Sequence, residues 1–453
     1  MIEKRLESTK NQSVRVAFHA LAAGGEGVGR DETGKTVFAP FAAPGDVALV
    51  DLQSEKASFA RGIIHETEVF SPQRVAPPCP QFRPETPLLS CGGCSWQHVD
   101  LGAQRDAKRD IVQSALTRIG GQDVEVEATR GGAGYAYRNK ADFVLGRAKN
   151  EAQIGFFADS SHDLIDARVC PIQATKNEAT LRAAREILSE NPNWAFDAHS
   201  GRGIWRRLVA RVSSAGEGLA TLVTSGEAVI SSDEIRQIAH KLRDKVPHLV
   251  GVLAQAPRGE TQILWGRDYL MESANGLDFR VSGAAFWQVN AEMSPLLARA
   301  ALEVGRVQGG EKALDLFCGA GLFALHMARA GALVTGIESN RGAVRDAIWN
   351  AEHNDLRAEF RAGDAARELK KFKKGDFDLV LLDPPRAGAR ECIDFLPQIA
   401  AQRIVYVSCD PATLSRDAKL LAARGYQLRR AIPFDLFPQT AHIEVVALFE
   451  RDS

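Results

Sequence analysis

The chain has 453 residues, 45% hydrophobic and 25% charged, with a formal net charge of −1. That is the composition of a globular protein of about two to four domains, and the charge argues against a strongly electrostatic nucleic-acid binder. No apolar run approaches the roughly 18–20 residues of a membrane span, and MIEKRLESTK is too polar for a secretory signal. Seven cysteines without an export signal disfavour a disulfide framework and point to cytosolic thiols or a metal site, so a cytoplasmic location without membrane attachment is expected.

Residues 1–72 read as a small barrel. VRVAF (14–18), KTVFAP (35–40), DVALVDL (46–52) and ARGIIHETEVF (60–70) are β-rich runs punctuated by AAGGEGVGR and PGD. Four or five short strands in so little chain suggest an OB-like β-barrel, an oligonucleotide platform. Arg30 and Lys35 favour RNA binding over a purely structural cap.

A central region spans 73–275. SPQRVAPPCPQFRPETPLLSCGGCSWQH is dense in Pro, Gly and Cys and reads as a loop organised by a ligand rather than by a core. Cys79, Cys91 and Cys94 lie within sixteen residues and Cys170 follows in ARVCPI, a set that allows structural zinc or an iron–sulfur cluster. A helix is expected at about 101–119, with Leu101, Ile111, Val112, Leu116 and Ile119 apolar. Alternating strand and helix signals come next, among them a helix near 174–189 and the basic strand GIWRRLVARV (203–212). Arg138, Lys140, Arg202, Arg206, Arg207 and Arg211 around Trp205 suit phosphate contact and base stacking, or equally solvated strand faces.

Residues 276–453 read as βαβ units. Apolar runs at 313–317, 332–337, 378–382, 403–408 and 443–449 alternate with amphipathic helices, which implies an α/β, Rossmann-like sheet with helices on both faces. DLFCGAGLF (315–323) forms a strand-to-helix turn whose glycines let backbone approach a ligand, a feature shared with dinucleotide folds. Asp315, Glu338, Asp364 and Asp383 then fall at four successive strand tips. An acid at Glu338 can accept from both ribose hydroxyls of an adenosine-containing ligand, whereas Asp364 also suits a helix N-cap. The layout resembles that of class I S-adenosylmethionine (SAM) methyltransferases more than a NAD site.

Cys409 in VYVSCDPATLSRD and Glu444 in FPQTAHIEVV carry the reaction chemistry. C5 of a pyrimidine is too weak a nucleophile to take a methyl group unaided. A thiolate added at C6 generates an enolate that can, and a base then removes the C5 proton. Cys392 and Cys318 read as packing residues.

FWQVN (286–290), DLFCGAG, LLDPPR, SCDPATLSRD and FPQTAHIE resemble, in order and spacing, the motif set of the uridine-5-methyltransferases of tRNA and 23S ribosomal RNA, over essentially the whole chain. The resemblance implies a class I methyltransferase domain behind an OB-like barrel of the TRAM type and a central α+β domain. It implies cofactor contacts at Gln288, Phe317, Glu338, Asp364 and Asp383, a nucleophile at Cys409 and a base at Glu444, with Asp383 beside them. Leu322 stands where relatives often carry Asn, which leaves a backbone but not a side-chain hydrogen bond to the cofactor. The ribosomal branch carries a 4Fe–4S cluster, which implies Cys79, Cys91, Cys94 and Cys170 as ligands, with eleven residues between the first two cysteines where the branch has five. The tRNA branch generally lacks both barrel and cluster, so a uridine in 23S ribosomal RNA is the expected target, tRNA the alternative, and a monomer the expected state. Cytosine-5 methylation and a non-catalytic RNA-binding iron–sulfur protein are the competing readings.

Overall fold

The computed structural model describes residues 13–148, 151–159, 161–259, 261–399 and 401–451, so the polar stretch MIEKRLESTK lies outside the described residues. Ser13–Leu21 (β1), Gly27–Asp31 (β2), Thr36–Ala39 (β3), Val47–Glu55 (β4) and Phe59–Val69 (β5) close into a five-stranded barrel ordered β1-β2-β3-β5-β4. Its core is Val16, Phe18, Val37, Ala39, Val50 and their neighbours. The sequence alone presents β2 as a turn, and the reason is steric. A Cβ on Gly29 would lie 2.4 Å from Val16 Cγ1 and 2.8 Å from the Ala17 carbonyl, so glycine is what lets β1 and β2 approach.

Asp100 caps the helix Leu101–Arg118 (α1), its carboxylate accepting from Gly102 N and Ala103 N. At four-residue spacing α1 buries Gln104, Lys108, Val112 and Leu116, while Ile119, expected in the apolar set, is half exposed. Two of those four side chains are polar, which no apolar periodicity could have shown. After α1 come the two residues Arg130–Gly131 (β6), and then the strands Lys140–Ala148 (β7), Glu151–Phe157 (β8) and Leu164–Asp166 (β9). The helix Thr175–Glu190 (α2) leads to Trp205–Val212 (β10) and Gly218–Thr224 (β11). The helix Asp233–Lys245 (α3) leads to Leu249–Gln255 (β12) and Thr261–Gly266 (β13). These strands form a seven-stranded sheet ordered β13-β12-β11-β10-β7-β8-β9, with α2 and α3 packed on one face over Phe143, Leu208 and Leu222. A hairpin, Tyr269–Ala274 (β14) with Leu277–Ser282 (β15), joins this sheet to the C-terminal third of the chain.

That third is built from the helices Met293–Gly305 (α4), Leu322–Arg329 (α5), Arg341–His353 (α6), Ala365–Leu369 (α7), Arg390–Ile393 (α8), Leu396–Ile399 (α9) and Pro411–Ala422 (α10). Between them run Lys312–Leu316 (β16), Leu333–Glu338 (β17), Ala358–Ala362 (β18), Leu379–Leu382 (β19), Arg403–Ser408 (β20), Tyr426–Asp435 (β21) and Glu444–Arg451 (β22). The sheet order is β18-β17-β16-β19-β20-β22-β21-β6, parallel from β18 to β20 and antiparallel at β22. Helices cover both faces, with α4, α5 and α6 on one side and α1, α7, α8 and α10 on the other. The edge strand β6 and the helix α1, which precede the central sheet in sequence, pack on this last sheet. Among the described residues no helix is long and apolar enough to cross a membrane.

Candidate active site

The chain order reverses between β16 and β19, so loops on either side of that point diverge and leave a crevice at the strand ends. Cys409 follows β20 immediately. In the antiparallel β20–β22 ladder Ser408 pairs with Val445, which sets Cys409 opposite Glu444. Asp383 follows β19 next to them, its N–H bonded to the Leu316 carbonyl at 3.3 Å. Burial, and then the neighbouring Glu444, push the Cys409 thiol up to about 11, while Arg386 pulls it the other way. Glu444 is buried and held well above the usual carboxylate range, by burial first and by Asp383 second. Burial raises Asp383 to about 7. The structure therefore gathers the three residues expected to react into one acidic group, with Glu444 buried and Asp383 and Cys409 part-buried.

Arg386 is the cation that faces it. Its guanidinium stands 3.1 Å from Nδ1 of His442, whose imidazole burial and that guanidinium hold down to about 4. A neutral His442 is thus an acceptor for Arg386. Both residues lie inside recognisable motifs, DPPR and TAHIE, yet the sequence alone gives neither a role.

The other half of the crevice is the glycine turn. Phe317 has φ +64°, uncommon for a side-chain-bearing residue, and Gly319 and Gly321 come after it at +54° and +94°. The turn is tied to β17, because Gly319 N donates to Glu338 Oε2 at 3.1 Å, and Asn340 N to Glu338 Oε1 at 2.7 Å. Leu322 opens α5 and is buried, as is Gln288. Asp364 is exposed and caps α7, its carboxylate accepting from Arg367 N at 3.0 Å. Asp315 is fully buried, and neither carboxylate oxygen closes a hydrogen bond among the described residues. Burial, then Asp383 and Glu338, push it well above its ordinary range; the Ala324 N–H faces it and offsets part of that without closing a hydrogen bond.

The four cysteines of the central region line one cavity of about 280 Å³, together with Phe82, Gln97, Arg138, Thr440 and His442. The extra residues between Cys79 and Cys91 fold back on themselves. Cys91 N bonds the Gln81 carbonyl at 2.8 Å, and Phe82 N bonds the Cys79 carbonyl at 3.1 Å. Burial, with the other thiols adding to it, pushes Cys91 up to about 11, Cys94 up to about 12 and Cys170 higher still. Among the described residues no group of three or more His, Cys, Asp or Glu side chains is arranged to hold a metal ion.

The family model for tRNA (Uracil-5-)-methyltransferase matches residues 101–452, and that for the TRAM domain matches residues 7–64. An uncharacterized RNA methyltransferase of Gloeobacter violaceus is 35% identical over 98% of this chain and 97% of its own length. One from Listeria innocua is 32% identical over 97% and 98%. The chain belongs to the tRNA (uracil-5-)-methyltransferase family. A Pyrococcus abyssi tRNA (uracil-54, C5)-methyltransferase, solved in complex with S-adenosyl-L-homocysteine, superposes with a TM-score of 0.74 at 26% identity, covering 96% of this chain and 99% of that one.

As a member of this RNA methyltransferase family behind a TRAM barrel, the chain needs surfaces for RNA, and the structure sorts the basic residues noted in its sequence. Trp205 is fully buried, with its indole N–H donated to the Arg207 carbonyl, so it offers no face for stacking. Arg211 is buried as well and donates to the Ala285 carbonyl. Burial corrects both as RNA contacts. Arg206 and Arg207 are exposed, the first lying over the Phe196 ring at 4.6 Å and the second paired with Asp142 at 3.2 Å. On the barrel, Arg30 donates to the Gly34 carbonyl and Lys35 pairs with Glu55.

Proposed function

We propose that the chain methylates C5 of a uridine in RNA, in 23S ribosomal RNA by preference, with SAM as donor and through a covalent bond between Cys409 and C6. The register that sets Cys409 opposite Glu444 carries this reading. The cofactor fits the crevice by charge. Asp315 is buried without a hydrogen-bond partner beside Asp383 and Glu338, and a ligand bearing an ammonium and a sulfonium neutralises such a group. Bound there, SAM supplies an electrophilic methyl group. Phe317, Leu322 and the Gly319–Gly321 turn would hold it, with Glu338 at the ribose and Gln288, Asp364 and Asp383 around it.

The Cys409 thiolate adds to C6 and the electron pair moves onto C5, which becomes nucleophilic enough to be methylated. Glu444 then removes the C5 proton, the C5–C6 double bond re-forms, and Cys409 leaves as thiolate. Arg386, drawing the Cys409 thiol down from its raised value, favours the thiolate at both ends of the sequence. The target uridine must leave its stack to reach a buried base, so a single-stranded loop is the substrate element. In this reading residues 1–72 and 73–275 present RNA to the sheet of residues 276–453, in the cytoplasm.

A 4Fe–4S cluster on Cys79, Cys91, Cys94 and Cys170 belongs to the same proposal. Burial and the neighbouring thiols raise Cys91, Cys94 and Cys170, which become thiolates readily only around a bound cationic centre, and with Cys79 they line one cavity of about 280 Å³. Its role is to order the segment around the cysteines, since methyl transfer involves no net redox change. The second reading, a uridine in tRNA, is favoured by the Pyrococcus abyssi likeness, which extends over 99% of a tRNA enzyme and thus includes the barrel.

Transfer of label from methyl-labelled SAM into total RNA of a strain lacking the gene tests the proposal. Wild type is expected to yield labelled 5-methyluridine and Cys409→Ala none. Label in 5-methylcytidine, or undiminished transfer by Cys409→Ala, overturns the chemistry. Label confined to tRNA moves the target and leaves the chemistry standing.

A further inference from the structure

Glu444 is reached through the loop 436–443, and four successive carbonyls of that loop are each taken by a distant donor. Leu436 O accepts from Asn290 Nδ2 at 3.1 Å, Phe437 O from Lys108 Nζ at 3.1 Å, and Pro438 O from the Tyr137 hydroxyl at 3.0 Å. Gln439 O accepts from both Ser95 N and Trp96 N at 3.0 Å. Gln439 itself is buried at φ +70°, a conformation that persists for such a residue only where its surroundings over-determine it. Gln104 of α1 supplies that constraint. Its Oε1 accepts from Gln439 N at 2.9 Å, and its Nε2 donates to Gln439 Oε1 at 2.9 Å and to the Trp96 and Val99 carbonyls.

We propose that Gln104 and Gln439 are a positioning pair that fixes Glu444 for removal of the C5 proton, an inference that rests on Glu444 being the base. Glu444 is the first residue of β22; its backbone pairs with Phe434 of β21, but on the β20 side, which carries Cys409, the ladder begins only at Val445, so there its place depends on the loop that leads into it. A general base must stand within hydrogen-bond reach of its proton, and a displacement of about 1 Å costs on the order of a hundredfold. Cys409 is carried instead by β20 and by α10, which Asp410 caps. The pair therefore governs the second half of the reaction and leaves the attack on C6 alone. The polar stripe on α1 acquires a purpose by the same argument, since Gln104 and Lys108 both end on the loop.

The test uses RNA from a strain lacking the gene, grown with or without 5-fluorouracil. Gln104→Leu removes the grip at nearly constant volume. Gln439→Gly keeps the left-handed turn and every backbone bond while removing the side-chain acceptor. On fluorinated RNA, where elimination is blocked, both variants are expected to form the denaturation-resistant adduct within about threefold of the wild-type rate. On natural RNA a methylated protein–RNA adduct should accumulate and product release should fall on the order of tenfold. Glu444→Gln is the reference. If it accumulates no methylated adduct, the reading of Glu444 fails and this inference with it. If it does, and the glutamine variants with native circular dichroism release product at the wild-type rate or lose both steps equally, the pair does not position the base. Should Gln104→Leu fail to fold, Gln439→Gly decides alone.

Discussion

Asp383 gains affinity for its proton on folding, because burial raises its carboxyl from an ordinary 3.8 to about 7. A group shifted upward lends stability that is fully present below its unfolded pKa and lost as pH climbs through the folded one. The window is therefore about pH 4 to 7. Asp383→Asn cannot titrate, so its melting temperature, followed by calorimetry without cofactor, should decline less across that window than the wild type's; parallel curves would sink the assignment. The residues proposed to react stand out in the sequence because Cys409, Glu444 and Asp383 each lie at a strand end inside a contiguous motif. The residues that hold the loop before Glu444 do not. Ser95, Trp96, Lys108, Tyr137 and Asn290 reach it from distant segments, Lys108 across 329 residues, and no local pattern marks a group whose partner is that remote.

Glycine decides the barrel at the level of its strands. Gly29→Ala would force a Cβ against the Val16 side chain and the Ala17 carbonyl, and the second of these is backbone that cannot turn aside. A loss of about 1–3 kcal/mol is expected from such overpacking, read as a lower urea midpoint for the barrel. An unchanged midpoint would mean that β1 and β2 can separate at no cost. The same crowding hides β2 in the sequence, since GVGRD carries one β-branched residue and looks like a turn. Tyr426–Asp435 is obscured for another reason. A bulge between Leu428 and Arg430 breaks its alternation, and Pro433 sits within it. The parallel strands at 312–316, 333–338, 379–382 and 403–408 were readable within a residue or so; 379–382 and 403–408 are buried on both faces and read as apolar runs, and the other two keep apolar residues at most positions.

For the whole molecule, the proposed cluster predicts a brown protein after anaerobic purification, with about four irons per chain. Stoichiometric zinc without iron would refute it. Cys94→Ser should lower the melting temperature before it slows chemistry, because Ser95 and Trp96, next in the chain, hold the loop ahead of Glu444. The ion pair between Lys108 and Asp435 joins residues 327 positions apart, both fully buried. During synthesis at about 5–20 residues per second, α1 leaves the ribosome roughly 16–65 seconds before its partner strand. Through that interval the Lys108 ammonium lacks its native partner Asp435, and seating it in an apolar surface would strip its hydration without that recompense. The charge thus keeps the helix in water until β21 arrives. Replacing it with leucine would complete the apolar stripe that Val112 and Leu116 begin, and give the nascent chain an adhesive face for all of that time.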